Sequence, residues 1–178
     1  MTTSEMELRT TLGLVHLRWR EEELVELHLG PFEPGVHTPQ HHLDGVAPSP
    51  VPAPREKMVA DLHAYFRGEA VDFGCSLPEG IGTPFQRQVW QALIQIPRGR
   101  CATYGGLART LGLPANSARA VGLACGANPL PVLVPCHRVV SAAGDLTGFT
   151  AGLPWKRALL ELEGVPLCND QVLAFSLV

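Results

Sequence analysis

The 178-residue sequence predicts an α+β protein: a small N-terminal antiparallel sheet with one helix, followed by a mostly helical part. Three observations predict it. Apolar and polar residues alternate with period two near the N-terminus. A proline-dense stretch, and then the cluster from Pro78 to Gly82, break the chain. Beyond that cluster, apolar residues recur at helical spacing in segments bounded by capping residues and glycines. Apolar residues make up 46% of the chain and charged residues 17%, so a real core can form and a disordered acidic or basic chain is excluded.

The elements follow in order. Val15, Leu17 and Trp19 alternate with His16 and Arg18, and Val25, Leu27 and Leu29 alternate with Glu26 and His28. This places strands over 6–29, with a charged turn at Arg20–Glu23 and one wet sheet face. Residues 30–54 hold seven of the 16 prolines and read as a long exposed loop. His37, His41 and His42 fall inside it. With no cysteine nearby and only Glu33 and Asp44 as acids, they read as solvated histidines, and no metal is expected. Met58, Val59, Leu62, Tyr65 and Phe66 give a helix over 55–69, and Val71–Leu77 reads as one more strand. The expected domains are 1–82 and 83–178.

Thr83-Pro84-Phe85-Gln86 opens the second part as a capping box with proline at the first helical position. Phe85, Val89, Trp90 and Leu93 give that helix its core stripe, and it ends before Pro97. A strand-like step at Cys101–Ala102 leads to a second helix, Thr103–Leu111. Gly112 and Pro114 then turn the chain, and Asn116 or Ser117 caps a third helix ending near Gly126. This pattern fits a helix-turn-helix and an ordinary helical hairpin alike. The third helix is unusual: Ala118, Ala120, Gly122, Ala124 and Gly126 leave one side nearly bare, while Arg119 stands near its start. Small residues allow close approach of another surface, whether a ligand or a packed helix. Val132–Val140 is a buried β-type run around Cys136 and His137. A loop, Ser141–Gly152, follows. A final helix, Pro154–Glu163, ends at the glycine cap Gly164.

Cysteine usage bounds the compartment. Cys75, Cys101, Cys125, Cys136 and Cys168 are odd in number and irregularly spaced, which disfavours a disulfide framework or a structural zinc. Met1–Glu5 carries neither a basic nor an apolar leader, and no run approaches the ~20 apolar residues of a membrane span. The expectation is a soluble cytoplasmic protein. The net charge of −3 argues mildly against a nucleic-acid partner. The halves differ, however: residues 1–80 carry 6 Lys and Arg against 13 Asp and Glu, and residues 81–178 carry 8 against 4. That asymmetry hints at a basic working face in the second part.

Pro135-Cys136-His137-Arg138 carries the chemistry. A thiolate is the working nucleophile, and an ordinary thiol of pKa ~8.5 is only a few per cent ionised at neutral pH. An imidazole can take its proton. Adjacent strand residues point to opposite faces, so His137 can serve Cys136 only if the chain bends, and Pro135 favours a bend. A cysteine in an apolar run is as often core filler.

Asn128–Val140, with Phe85–Trp90 and Arg119–Gly122 ahead of it, resembles the O6-alkylguanine-DNA alkyltransferases (methylated-DNA–protein-cysteine methyltransferases) over about residues 83–164. The resemblance implies single-turnover repair, in which the alkyl group of O6-alkylguanine in DNA passes to Cys136 without a cofactor; O4-methylthymine is a second possible substrate. It implies that His137 acts as the base through water, in a chain reaching Glu163, and that Asn128 is the hinge between recognition helix and active-site strand. Tyr104 and Arg119 would contact DNA, with Arg119 filling the gap left by the flipped nucleotide. Ala120 and Gly122 on the bare helix, with Arg138 and Ser141, would complete the DNA- and substrate-binding set. Gly148 and Phe149 would close over the extruded guanine; Phe149 stands where many members have tyrosine. The implied partner is double-stranded DNA bound through its minor groove, and the protein is expected to be a monomer. Against this stand a non-catalytic alkyltransferase-like protein, which would lack Cys136, a helix-turn-helix regulator and a cysteine hydrolase.

Overall fold

Alternation along the first thirty residues becomes three antiparallel strands, β1 (Thr3–Thr10), β2 (Gly13–Arg20) and β3 (Glu23–Phe32), in the order β1-β2-β3. The computed structural model describes residues 2–35, 53–74 and 76–173, so His37, His41, His42 and Cys75 lie outside the described residues. The chain folds as two units, Met1–Gly74 and Cys75–Val178.

In the first unit, one sheet face is buried through Leu8, Val15, Leu17, Trp19, Leu27 and Leu29. The other carries Glu5, Arg18 and Glu26 as an exposed cross-strand ion-pair ladder. Helix α1 (Ala53–Phe66) packs on the apolar face with Leu62, Tyr65 and Phe66 buried. The Arg55 guanidinium lies 5.3 Å from the Trp19 ring, and Thr11 Oγ1 donates to the Phe66 carbonyl at 2.7 Å. No strand forms among the described residues of 71–77. Apolar character there serves burial of Leu77 and ring packing of Phe73 on Tyr65 at 5.6 Å, not a fourth pairing.

The unit boundary precedes the expected 82/83 break by eight residues. Arg87 explains the difference: its guanidinium donates to the carbonyls of Pro78 and Ile81 at 2.6 and 3.1 Å, tying this segment to the helix behind it. That helix, α2 (Pro84–Ile94), starts on the expected capping box. Gln86 N donates to Thr83 Oγ1 at 3.2 Å, and Thr83 N donates to Gln86 Oε1 at 2.8 Å. Gly82, at φ +81, is required here, because a Cβ would lie 2.4 Å from the Trp90 ring.

From α2 the chain runs through β4 (Ala102–Thr103) into α3 (Tyr104–Thr110), capped by Thr103, whose Oγ1 accepts from Gly106 N at 2.9 Å. A 3₁₀ turn, Ala115–Ser117, leads into α4 (Ala118–Gly126). Ser117 occupies the cap position but makes no capping bond; the 3₁₀ turn takes over that start. Trp90 Nε1 donates to the Ala124 carbonyl at 2.8 Å and locks α4 onto α2.

The expected strand Val132–Val140 is mostly not a strand. Only β5 (Val139–Val140) pairs, in parallel with β4, through Ala102↔Val139 and Thr103↔Val140. Before it lie a turn at 130–134 and a 3₁₀ turn, Cys136–Arg138. The apolar run is long because the segment is buried, not because it is extended. Helix α5 (Leu153–Leu162) follows, with Glu163 at its C-cap and Gly164 at φ +78. A hairpin absent from the sequence expectation closes the unit: β6 (Leu167–Cys168) and β7 (Gln171–Val172), joined by Asn169 and Asp170 at φ +49 and +60. Two consecutive positive φ values are the mark of a type I′ turn.

Removing the cap tests how α2 is set. Thr83→Ala should cost about 1 kcal/mol in urea unfolding and speed amide exchange at Gln86, while Thr83→Ser retains most of both.

Candidate functional site

The 3₁₀ turn supplies the bend that Cys136 and His137 need. Pro135 leads in at φ −80, ψ 63, and Arg138 N closes the turn on the Pro135 carbonyl at 3.0 Å. Upstream, Val132 is held at φ +78, a rare conformation for a β-branched residue, costing on the order of 1–3 kcal/mol. Burial of Val132 and the bond from Val134 N to the Leu130 carbonyl, 2.8 Å, hold it there.

Cys136 is 6% exposed and lies against a cavity of about 550 Å³. Its Sγ accepts from Asn128 Nδ2 at 3.1 Å. The same Nδ2 donates to the Val134 carbonyl at 2.7 Å, and Asn128 Oδ1 accepts from Leu130 N at 3.0 Å, so the amide orientation is determined by its partners. Burial pushes the thiol above its usual pKa. The Asn128 bond, the charge of Lys156 and the backbone N–H groups of Cys136 and His137 pull the other way without overcoming it.

Behind the thiol, His137 Nε2 lies 3.0 Å from Glu163 Oε1, both side chains fully buried. Arg138 donates to the same carboxylate twice, through Nε and Nη2 at 2.8 Å each, and its Nη1 reaches the Ile96 carbonyl at 2.6 Å. Burial would raise Glu163, but His137 and Arg138 outweigh it and hold the carboxyl far below the usual range. Burial likewise lowers His137, with Glu163 opposing. An ionised Glu163 only accepts, so Nε2 carries the ring proton and Nδ1 keeps its lone pair. Nδ1 is buried and has no protein hydrogen-bond partner. The imidazole is therefore neutral and its free nitrogen is the basic one.

The cavity is faced by α4 and by the loop after β5. Arg119, Gly122, Leu123 and Gly126 line it from α4, Tyr104 from α3, and Thr147–Thr150 from the loop. Thr150 Oγ1 donates to the Gly126 carbonyl at 3.1 Å and pins the loop to the end of α4. A Cβ on Gly122 would lie 3.7 Å from the Tyr104 ring, so the missing side chain opens space directly over it.

The structure thus gathers Tyr104, Arg119, Gly122, Cys136, Gly148 and Phe149 around one cavity, with Asn128, His137 and Glu163 behind the thiol. Three expected binding residues lie elsewhere. Ala120 is exposed on α4 but does not line the cavity. Arg138 turns inward to Glu163. Ser141 closes its own loop, bonding Asp145 Oδ2 at 3.0 Å and accepting from Ala143 N and Asp145 N.

Sequence reading missed Lys156. It is fully buried, and its Nζ donates to the carbonyls of Val139 and Thr147 at 2.7 and 2.6 Å, joining β5 to the loop. Tyr104 Oη donates to the same Thr147 carbonyl at 3.3 Å. Burial lowers Lys156 to about 8, with Cys136, Cys125 and Cys101 opposing. Its signal was positional: Lys156 precedes Leu159 and Leu160 by three and four residues, on the core side of α5.

Fold and site together define a two-unit α+β protein with a buried thiol, backed by an imidazole–carboxylate pair, beneath a cavity faced by a small-residue helix. The family model described as the 6-O-methylguanine DNA methyltransferase DNA-binding domain matches residues 84–165. Curated methylated-DNA–protein-cysteine methyltransferases of Mycobacterium tuberculosis are 50% identical over 115 residues, 65% of this chain and 68% of theirs. That of Methanosarcina acetivorans is 52% identical over 104 residues, 58% of this chain and 65% of its own. The crystal structure of the M. tuberculosis O6-methylguanine methyltransferase aligns at TM-score 0.72 and 37% identity, covering 95% of this chain and 97% of that one. That of M. tuberculosis OGT in complex with DNA aligns at 0.71 and 38%, covering 89% and 91%. The chain belongs to the 6-O-methylguanine DNA methyltransferase family, that of the methylated-DNA–protein-cysteine methyltransferases.

The linkage at Glu163 has a definite sign. A folded-state pKa held below the ordinary 4.5 contributes stability that is complete above about pH 4.5 and lost as pH falls toward the folded value. Glu163→Gln should therefore destabilise the protein at pH 7 by about 3–5 kcal/mol, since it leaves Arg138 without its counter-charge. The gap to wild type should narrow below about pH 4.5, read as urea midpoints at both pH values. A pH-independent gap would contradict the linkage.

Proposed function

We propose that this chain repairs O6-alkylguanine in duplex DNA by moving the alkyl group onto Cys136, once per molecule. The observation that carries the reading is the Cys136 thiol, held by Asn128 at 3.1 Å against the cavity and backed by the His137–Glu163 pair. Sulfur attacks the alkyl carbon, an S–C bond forms, and the C–O6 bond breaks with its electron pair passing to guanine. The thiol proton passes to His137 Nδ1 through an intervening water, and the imidazolium gives one proton back through solvent to guanine N1, which restores the N1–H and the neutral imidazole. Thiol and lesion supply every atom, so no cofactor enters the balance. The product is a thioether, which is stable to hydrolysis, and this makes the reaction single-turnover.

A stacked base cannot offer its O6 substituent to a buried thiol, so the nucleotide leaves the duplex at a cost of a few kcal/mol. The bare face of α4 suits a narrow minor groove, and Arg119 fills the vacated stack. Tyr104 assists rotation of the nucleotide, and Gly148 and Phe149 close over the guanine. Arg138 acts by holding Glu163 rather than on DNA. The M. tuberculosis relative solved with DNA supports this partner. The second unit, 75–178, carries 8 Lys and Arg against 5 Asp and Glu. Its site is complete within one chain, which supports a monomer. The free thiols Cys101, Cys125, Cys136 and Cys168 support the cytoplasm as its compartment. No described helix is long and apolar enough to cross a membrane.

Incubation with duplex DNA containing O6-methylguanine should add one methyl group to the peptide spanning Cys136, in proportion to protein consumed. An intact lesion and unmodified Cys136 would overturn the reading. Cys136→Ala should abolish transfer and retain DNA binding. Because burial keeps the His137 pKa below 6.5, the single-turnover rate should hold down to about pH 6.5 and fall only below it. In His137→Ala that acid limb should vanish and the rate should climb with thiol ionisation in alkali.

A further inference from the structure

We infer that Leu123 grips the deoxyribose of the extruded nucleotide at the cavity mouth, as a second inserted side chain beside Arg119. The inference rests on the repair reading above and adds a residue to it. Leu123 is 70% exposed, far above Leu153 at 42% and Leu173 at 38%, the other exposed large hydrophobics among the described residues. Singly exposed leucines are ordinary on protein surfaces. This one is not placed at random. Arg119, Gly122, Leu123 and Gly126 fall at i, i+3, i+4 and i+7, one face of α4, and all four line the cavity that reaches Cys136.

Ala118 and Cys125 also line the cavity from α4, with short side chains, so Arg119 and Leu123 are the long side chains that the helix presents to it. Gly122 and Gly126 offer no flank to shield the leucine. Arg119 precedes it by four residues, ~6 Å along the helix axis. The two side chains therefore meet different parts of the same substrate. The guanidinium can enter the polar, vacated stack. The leucine has no donor or acceptor, so it can read neither a base edge nor a phosphate. The part of a nucleotide that lies between a buried base and the phosphates, and that presents C–H surface, is the sugar. Loop residue Phe149 lines the same cavity, and the Thr150–Gly126 bond fixes that loop to α4 at 3.1 Å. An extruded nucleotide thus meets apolar surface from both α4 and the loop.

The test is single-turnover methyl transfer by the full chain, measured against the concentration of duplex DNA containing O6-methylguanine. Leu123→Ala should raise the half-saturating DNA concentration about tenfold, equivalent to ~1.4 kcal/mol. The plateau rate should change less than about threefold, because the grip acts before chemistry. Leu123→Met should recover to within about threefold of wild type. The side chain is exposed, so both variants should unfold at the wild-type midpoint. Leu123→Ala with wild-type concentration dependence would overturn the inference while leaving the repair reading intact. So would a lowered plateau with unchanged half-saturation. Absence of methyl on wild-type Cys136 would instead overturn the repair reading, and this inference with it.

Discussion

The Glu163 carboxylate is the constraint on which the site depends. It sits at the C-cap of α5, where the helix dipole disfavours a negative charge, and its side chain is fully buried. Water cannot stabilise it, so His137 and Arg138 must. These are consecutive residues of the 3₁₀ turn that begins at Cys136. Holding both from one carboxylate therefore orients the turn itself. Once the turn is oriented, Cys136 faces Asn128 and the cavity. Arg138 carries the constraint outward to the Ile96 carbonyl, just past α2, and Arg98 caps the Leu162 carbonyl from the same stretch. One buried charge thus sets the thiol-bearing turn, the imidazole beside it and the packing of two helices.

Local chemistry was readable from the residues. The capping box at Thr83 and Gln86, the alternation along β2 and β3, and the glycine after α5 each depend on neighbours a few positions away, and each formed as expected. The same holds for the bend at Pro135. What failed was the inference from apolar content to extended structure. Val132–Val140 is apolar because it is buried, and in Val71–Leu77 the apolar character comes down to Leu77, which is buried, and Phe73, which packs on Tyr65; a short apolar run does not say whether it lies in a strand or a turn. Val132 at φ +78 shows how far from a strand such a run can go. The hairpin β6–β7 has only two residues per strand, below any periodicity, and its one cue was Asn169-Asp170. Arg138 is expected in the DNA- and substrate-binding set on the family resemblance alone, while its guanidinium fork bonds the buried Glu163 carboxylate.

Lys156 shows a different limit. A lysine in a helix normally reads as solvent-facing, and its use here comes from contacts remote in sequence. By bonding both Val139 and Thr147 carbonyls it ties the strand that follows the thiol to the loop that lines the cavity. Its ammonium is also the positive charge acting on Cys136, opposing the cost of burying a thiolate. The position along α5 is visible in the sequence, but the partners of its buried ammonium, the Val139 and Thr147 carbonyls, are brought to it only by the fold.

The resting state of Cys136 looks at first opposed to its chemistry. Burial raises the thiol and lowers His137, so transfer of the proton between them is uphill. For a protein that reacts once, this is an advantage. A permanently ionised thiolate would be lost to any small electrophile or oxidant, and each loss would remove a whole molecule. A neutral thiol at 6% exposure is protected from both. Asn128 and Lys156 then lower the cost of ionisation without removing it. The remaining cost is met when a lesion is held in line with sulfur, because the C–O6 bond breaks as the S–C bond forms and negative charge passes from sulfur onto guanine. Reactivity is thus conditional on the geometry of the bound nucleotide, and the selectivity of the site follows from the same burial that makes its thiol a poor nucleophile at rest.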